Sequence, residues 1–398
     1  MSARAVVIDL FCGAGGLSEG FSQAGYEVLA GNDHNQIAGE TFAATHRKAA
    51  FYPDPIEQID AAELLRATGL KRGDLDCLAG GPPCQAFSVY NHQRGMHDSR
   101  SKLFREYLRI VDGLQPKWVV MENVTGIHSA GGGKAVKEIL AGLGKLGYAV
   151  DMRTLHAERY GVPQERRRVF FVGNRLGLRF DWPPSTHGPK ETFSLEDARM
   201  LWEDADGGLD SYVTVWDAIG DLPRLKNGQA PGPLPYASSP MNAYQAALRA
   251  GQTEVHNHAA PGLSPINLKR MPFIPQGGSW RDIPVRLLPA GMKLARRCDH
   301  TKRYGRLMPD GLACTILTKC DLHWGAFIHP YDDRVLTVRE AARLQSFPDR
   351  FHFKGPRTEQ YVQVGNAVPP VLARCLAGSI LQAGSAANRN ASKELVLA

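Results

Sequence analysis

The chain has 398 residues, of which 43% are hydrophobic and 22% charged, the composition of an ordinary globular protein long enough for two or three domain-sized units. No run approaches the roughly 18 consecutive apolar residues of a membrane span, and Met1-Ser-Ala-Arg-Ala5 carries no signal-peptide pattern, so membrane and secreted classes are set aside. Lys and Arg number 47 against 40 Asp and Glu, a formal charge of +7 that suits a polyanionic partner without requiring one. Seven scattered cysteines (Cys12, Cys77, Cys84, Cys298, Cys314, Cys320 and Cys375) include no Cys-x-x-Cys pair. That pattern points to a reducing compartment rather than a disulfide framework or a zinc knuckle.

In chain order, Ala5–Leu10 reads as a buried strand with a helix starting near Gly16. Glu27–Ala30 is a second strand, followed by a helical pattern from Gln36 to Thr45. Asp76–Ala79, Trp118–Met121 and Val169–Val172 continue the strand series. This alternation predicts an α/β fold, an open and mostly parallel sheet with helices on both faces. Ligands of such sheets bind at the carboxyl ends of the strands. From Phe180 to Leu336 the periodicity is lost and Pro-rich stretches appear, Pro183-Pro184 and Pro231-Gly-Pro-Leu-Pro235 among them. A second, irregular lobe is expected there, anchored by Trp182, Trp202, Trp216, Trp280 and Trp324. Helical patterns return over Val338–Leu344 and Pro370–Ala377, and the residues from Ala387 read as a frayed end.

The strand ends carry the chemistry. Asp9-Leu-Phe-Cys-Gly-Ala-Gly-Gly16 follows the first strand, and its glycines allow a close backbone approach to a ligand ahead of a helix N-terminus. The third glycine of a dinucleotide fingerprint would fall on Ser18, so a plain strand-to-helix turn reads equally well. Gly80-Gly-Pro-Pro-Cys-Gln-Ala-Phe-Ser88 places Cys84 at a Pro-stiffened strand end, either a positioned nucleophile or an inert thiol. Glu122 follows the next strand, where a buried carboxyl with a raised pKa could protonate a heteroaromatic nitrogen, or could cap a helix or pair with a cation. In Gln164-Glu-Arg-Arg-Arg-Val169, extended alternation puts Arg166 and Arg168 on one face, which suits a base carbonyl or phosphates. A solvated charge run has the same composition.

Taken together and in this order, these segments resemble the DNA (cytosine-5)-methyltransferase family over almost the whole chain. The resemblance includes Asp9–Gly16, Pro83-Cys84-Gln85, Glu122-Asn-Val124 and Gln164-x-Arg166-x-Arg168, then Arg339-Glu-Ala-Ala-Arg-Leu-Gln-Ser-Phe-Pro-Asp349 and Gly365-Asn-Ala-Val-Pro-Pro370. It implies a Rossmann-like, S-adenosylmethionine-dependent sheet plus a smaller irregular target-recognition domain. The implied division is a first catalytic part over 1–178, target recognition over 179–337 and a catalytic completion over 338–398. Cys84 would match the nucleophile that adds to C6 of cytosine, and Glu122 the acid at N3. Arg168, with Arg166, would match the contacts to O2 and phosphate. The base must be flipped from the duplex to expose both ring faces.

For S-adenosylmethionine, and its product S-adenosylhomocysteine, the resemblance implies Phe11 against adenine and the amides of Gly13, Ala14, Gly15 and Gly16 around the amino acid portion. Pro83 and Leu103 form walls, and Asn366, Ala367 and Val368 close the site. Asp33 stands where the family commonly has Glu for the ribose hydroxyls, followed by His34 against the adenine. The usual Asp-Ile pair is blurred as Asp54-Pro-Ile56. Gln85, Ser88, Arg94, Arg303, Thr315 and Thr318 are the implied DNA contacts, 88–101 resembles the mobile loop, and 296–306 is a candidate phosphate-facing stretch. His256-Asn-His258 reads as structural, and no metal is implied. The expected partner is double-stranded DNA in a bacterial, nucleoid-associated cytoplasmic setting. The expected protein is a monomer without a membrane, acting alone or beside a separately acting restriction endonuclease. Two other readings stay open: methylation of RNA, as in the transfer-RNA branch of the family, and a catalytically dead binder, which the presence of Cys84, Glu122, Arg166 and Arg168 disfavours.

Overall fold

The computed structural model describes residues 4–83, 103–189 and 208–396, in two compact units. The first unit draws on Met1–His156, Arg167–Pro184 and Val368–Ala398, the second on Ala157–Arg166 and Ser185–Ala367.

The first unit is built on a seven-stranded sheet: β1 (Val6–Leu10), β2 (Glu27–Asn32), β3 (Ala50–Tyr52), β4 (Cys77–Gly80), β5 (Trp118–Val124), β6 (Ala149–His156) and β7 (Arg167–Asn174). Their spatial order is β3-β2-β1-β4-β5-β7-β6. The run from β3 to β5 is parallel, while β7 is antiparallel to both β5 and β6. The inner strands read as unbroken apolar runs because parallel strands are covered on both faces. The strands that the periodicity did not predict, β3 and β6, lie at the two edges. β3 has only three residues, and β6 alternates exposed and half-buried positions along most of its length.

The helices α1 (Gly16–Ala24), α2 (Gln36–Thr45), α3 (Ala61–Thr68), α4 (Leu103–Leu114) and α5 (Lys134–Lys145) accompany the sheet. Their ends carry the expected stop and start signals: Asn35 accepts from the Ala38 amide, Asp60 from the Ala62 amide, and Gly25 and Gly69 close α1 and α3. α4 buries Tyr107, Ile110, Val111 and Leu114, one stripe at helical spacing. That stripe joins Ile8, Leu10, Leu78, Val119 and Met121 in the core. Tyr107 lies wholly inside and donates its hydroxyl to the Leu78 and Val120 carbonyls at 2.9 and 3.2 Å, tying β4 to β5.

The C-terminal helix Pro370–Val396 packs on α1 and runs through the segment read as frayed. Its buried face, Leu372, Ala373, Leu376, Ala377 and Ile380, explains a further difference. The stretch Arg357–Ser385 is long and apolar enough by composition to cross a membrane, and more than half of its most apolar part is buried inside the protein.

The second unit contains short helices, 3₁₀ turns and two-residue strand pairs around a core of Met271, Ile274, Trp280, Ile283, Tyr304 and Ile328. Trp280 is an anchor as expected. Trp182 belongs to the first unit, where its indole donates to Asp151, Trp324 is 48% exposed, and Trp202 lies outside the described residues. Buried arginines hold the unit together. Arg343 reaches Asp349 at 2.6 Å and Asp221 at 3.0 Å, and Arg339 shares Asp349. Arg334 grips Glu340 with both ends of its guanidinium, at 2.7 and 2.8 Å. These pairs bind Val338–Leu344 into the second unit, which extends through Ala367. Irregular chain leaves many carbonyls without ladder partners, and a guanidinium with five donors satisfies several at once.

His329 gives this unit a pH dependence. Its Nδ1 accepts from the Tyr331 and Asp332 amides at 3.2 and 3.0 Å, so the neutral ring is required there. Burial, with Arg334 and Arg224 nearby and only partly offset by Glu340, lowers its pKa to about 4. The unfolded chain takes up this proton first, so stability is lost as pH falls from 6.5 towards 4. The thermal midpoint should drop across that window. His329→Asn, which keeps an acceptor and removes the titration, should flatten the drop; an unchanged slope would assign it to other groups.

Candidate active site

The loop after β1 is unusual in its backbone. Phe11, Gly13 and Gly15 have φ of 58°, 53° and 92°, and for Phe11 this left-handed conformation is strained. A Cβ placed on Gly13 would meet no atom within 4 Å, so the loop presents open backbone there. The Gly13 amide donates to Asp33 Oδ2 at 2.9 Å, and the Asn35 amide donates to Asp33 Oδ1 at 2.8 Å. Asp33, just past β2, therefore joins this loop to the start of α2. Asp9 at the end of β1 is buried and accepts from the Ser18 hydroxyl and amide at 2.5 and 3.1 Å. Burial pushes its pKa up to about 7, although the Ser18 hydrogen bonds pull the other way.

The second half of the rim comes from β4, β5 and β7. Glu122 Oε1 and Arg168 Nε form an ion pair at 2.9 Å, with side chains only 11% and 12% exposed. The pairing register makes this contact, because Val124 lies opposite Arg168 and Glu122 opposite Phe170 on antiparallel strands. Burial lowers the Arg168 pKa, and the Glu122 charge opposes that shift. The neighbouring Asn123 donates to the Pro82 carbonyl at 3.1 Å. That bond ties β5 to the segment leading towards Cys84, a function for Asn123 that the motif alone did not reveal. Cys84 itself, with Gln85, Ser88, Arg94 and the 88–101 loop, lies outside the described residues.

An acid–arginine pair and a glycine-bearing loop thus occupy the carboxyl-terminal rim of one doubly wound sheet, and the profile of C-5 cytosine-specific DNA methylases matches residues 5–382. The chain belongs to the C-5 cytosine-specific DNA methylase family. It is similar to type II methyltransferase M.AgeI of Thalassovita gelatinovora, at 36% identity over 94% of this chain and 98% of that protein. DNA (cytosine-5)-methyltransferase 1A of Oryza sativa subsp. japonica is 31% identical over 94% of this chain, which spans 28% of the plant protein. Among solved structures, a prophage-encoded protein from E. coli described as a DNA modification methyltransferase superposes with a TM-score of 0.73, at 25% identity over 96% of this chain and 99% of that one.

The other expected site residues of this methylase fall in varied settings. His34 is exposed with Nδ1 3.6 Å from Asp33. Asp54 is exposed and gives its carbonyl to Asn32 at 2.8 Å. Ile56 is buried in the core, and Leu103 packs against it at the start of α4. Arg166 departs from its expected place beside Arg168. β7 begins at Arg167, so strand alternation does not extend to Arg166. Its buried guanidinium donates instead to the carbonyls of Ile316, Gly365 and Ala367, at 3.1, 2.9 and 2.8 Å. Arg306, in the candidate phosphate-facing stretch, is likewise buried, reaching Asp333 and the Ile274, His329, Asp332 and Met271 carbonyls. Arg303 is half-buried, Arg297 donates to the Arg281 carbonyl, and Arg296 pairs with Asp299 on the surface. Thr315 donates its hydroxyl to the Glu165 carbonyl at 2.6 Å. His258 is buried with both ring nitrogens hydrogen-bonded, to Thr337 and the Pro223 carbonyl, a structural residue.

Proposed function

We propose that this chain methylates C5 of cytosine at one short site in double-stranded DNA, with the Glu122–Arg168 pair at its chemical centre. That pair is the observation that carries the reading, since a carboxyl group and a guanidinium held 2.9 Å apart offer complementary contacts to N3 and O2 on one edge of cytosine. The loop after β1 fits S-adenosylmethionine. Its left-handed residues, the open space over Gly13 and the Asp33 carboxylate suit an amino acid portion and a ribose. Phe11 and His34 would flank the adenine, with Gly13 to Gly16, Asp54, Ile56, Pro83, Leu103 and the 366–368 segment as further contacts. Bound there, the cofactor supplies an electrophilic methyl group.

The target base is flipped out of the duplex, and Arg168 holds its O2 while Glu122 holds N3 and draws electron density from the ring. The Cys84 thiolate would bond to C6 while N3 takes a proton from Glu122, and the displaced C5–C6 electrons would make C5 nucleophilic enough to take the methyl group, whose bond to the cofactor sulfur breaks to leave S-adenosylhomocysteine. Loss of the C5 proton to solvent would return the C5–H electrons to the ring, break the bond to C6 and release Cys84 as a thiolate. Target recognition is assigned to 179–337, between catalytic parts at 1–178 and 338–398. The chain would act in the bacterial cytoplasm as a monomer, protecting DNA beside a restriction endonuclease or marking it alone.

Bisulfite sequencing of DNA from cells expressing the chain should show 5-methylcytosine at one short motif. Uniformly unmethylated DNA with soluble protein present would refute the reading, and transfer to purified RNA but not to duplex DNA would replace the substrate.

A further inference from the structure

Three segments far apart in sequence meet at Arg166. Gln164 and Arg166 belong to the segment before β7, Ile316 lies in Thr315–Thr318, Gly365 lies in the last turn of the helix Arg357–Asn366, and Ala367 caps it. All belong to the second unit, and Gln164, Arg166 and Gln345 are fully buried. The Arg166 fork takes the Ile316 carbonyl on one nitrogen and those of Gly365 and Ala367 on the other. Gln345 donates to the Val364 and Ala367 carbonyls at 3.1 and 2.8 Å and accepts from Gln164. Gln164 in turn accepts from the Ile316 amide at 2.9 Å. A Cβ on Gly365 would come within 2.4 Å of the Leu317 carbonyl carbon and 2.5 Å of the Thr318 amide nitrogen, so these two backbones touch and only glycine fits.

We propose that Arg166 and Gln345 are positioning residues that couple DNA engagement at Thr315–Thr318 to cofactor engagement at 366–368. This rests on the proposed function, which assigns target recognition to 179–337, the span that holds Thr315–Thr318, and cofactor contacts to 366–368. A planar guanidinium cannot follow one carbonyl without moving relative to the other, and close-packed backbones transmit displacement rather than absorb it. A ligand that orders one segment therefore favours the arrangement the other ligand needs, and the coupling is reciprocal.

Hydrogen exchange on the wild-type protein tests this without any variant. S-adenosylhomocysteine alone should slow exchange of the Ile316 amide, and a short duplex carrying the mapped motif should alone slow exchange at Gly365 and Ala367. The duplex should also tighten S-adenosylhomocysteine binding by about fivefold or more. Arg166→Lys and Gln345→Met, each checked for an intact thermal transition, should bring that ratio towards one and raise KM for the cofactor more than they lower kcat. Protection confined to each ligand's own segment, a wild-type ratio of one, or an intact ratio in both folded variants would overturn the coupling. A protein that binds neither ligand would instead overturn the function on which it rests. If either variant fails to fold, the wild-type exchange result decides.

Discussion

Glu122→Gln is expected to lower kcat by about 10²–10⁴-fold, the range that a positioned acid contributes, with KM for the duplex changed by less than about threefold. The amide is isosteric, and its oxygen can still accept from Arg168 Nε across the 2.9 Å contact. The rim therefore keeps its shape, and the amide NH2 can still donate to N3, while the proposed proton donor is lost. Because the loss falls on an interaction strengthened in the transition state, it should appear in kcat and kcat/KM together. Transfer of tritiated methyl groups to duplex DNA measures both constants. An unchanged kcat would remove Glu122 from the chemistry and leave the ion pair a structural one.

Cys84→Ser is expected to abolish covalent trapping on duplex DNA that carries 5-fluorocytosine at the mapped site. After C6 addition and methyl transfer, fluorine at C5 cannot leave as a proton does, so the bond to Cys84 persists and survives denaturing electrophoresis. A serine hydroxyl is far less ionised than a thiol near neutral pH and is a poor nucleophile without an adjacent base, so no shifted band should form. Duplex binding by the variant, measured in parallel, separates loss of chemistry from loss of substrate. A shifted band of undiminished intensity would reassign the nucleophile.

The inner strands and the residues at their carboxyl ends were legible because their signals are local. β1, β4 and β5 are apolar runs, and Asp9 and Glu122 stand in the motifs that end β1 and β5. β3 and β6 escaped because edge strands need less continuous apolar sequence. The setting of Arg166 is hidden from the sequence for a different reason. Its neighbours suggested a shared face with Arg168, but the carbonyl groups it serves lie as far as 201 residues along the chain, and no local period encodes that. The 296–306 stretch reads as phosphate-facing from its local charge, but Arg306 within it turns inward to partners such as Met271 and Asp333, 35 residues before it and 27 after. Charge in a sequence tells how many guanidinium groups exist, not which way they point.

The inward direction of those arginines has a consequence for how such a protein diversifies. In the second unit Arg166, Arg306, Arg334, Arg339 and Arg343 are buried, with their hydrogen bonds directed to backbone carbonyls and internal acids. The scaffold is thus specified largely from within. Positions such as Val285 and Leu294, 67% and 93% exposed, carry little of the folding energy, and substitutions at exposed sites of this kind typically cost within about 0.5 kcal/mol. A lineage could exchange the outer residues of this lobe without rebuilding the frame that displays them.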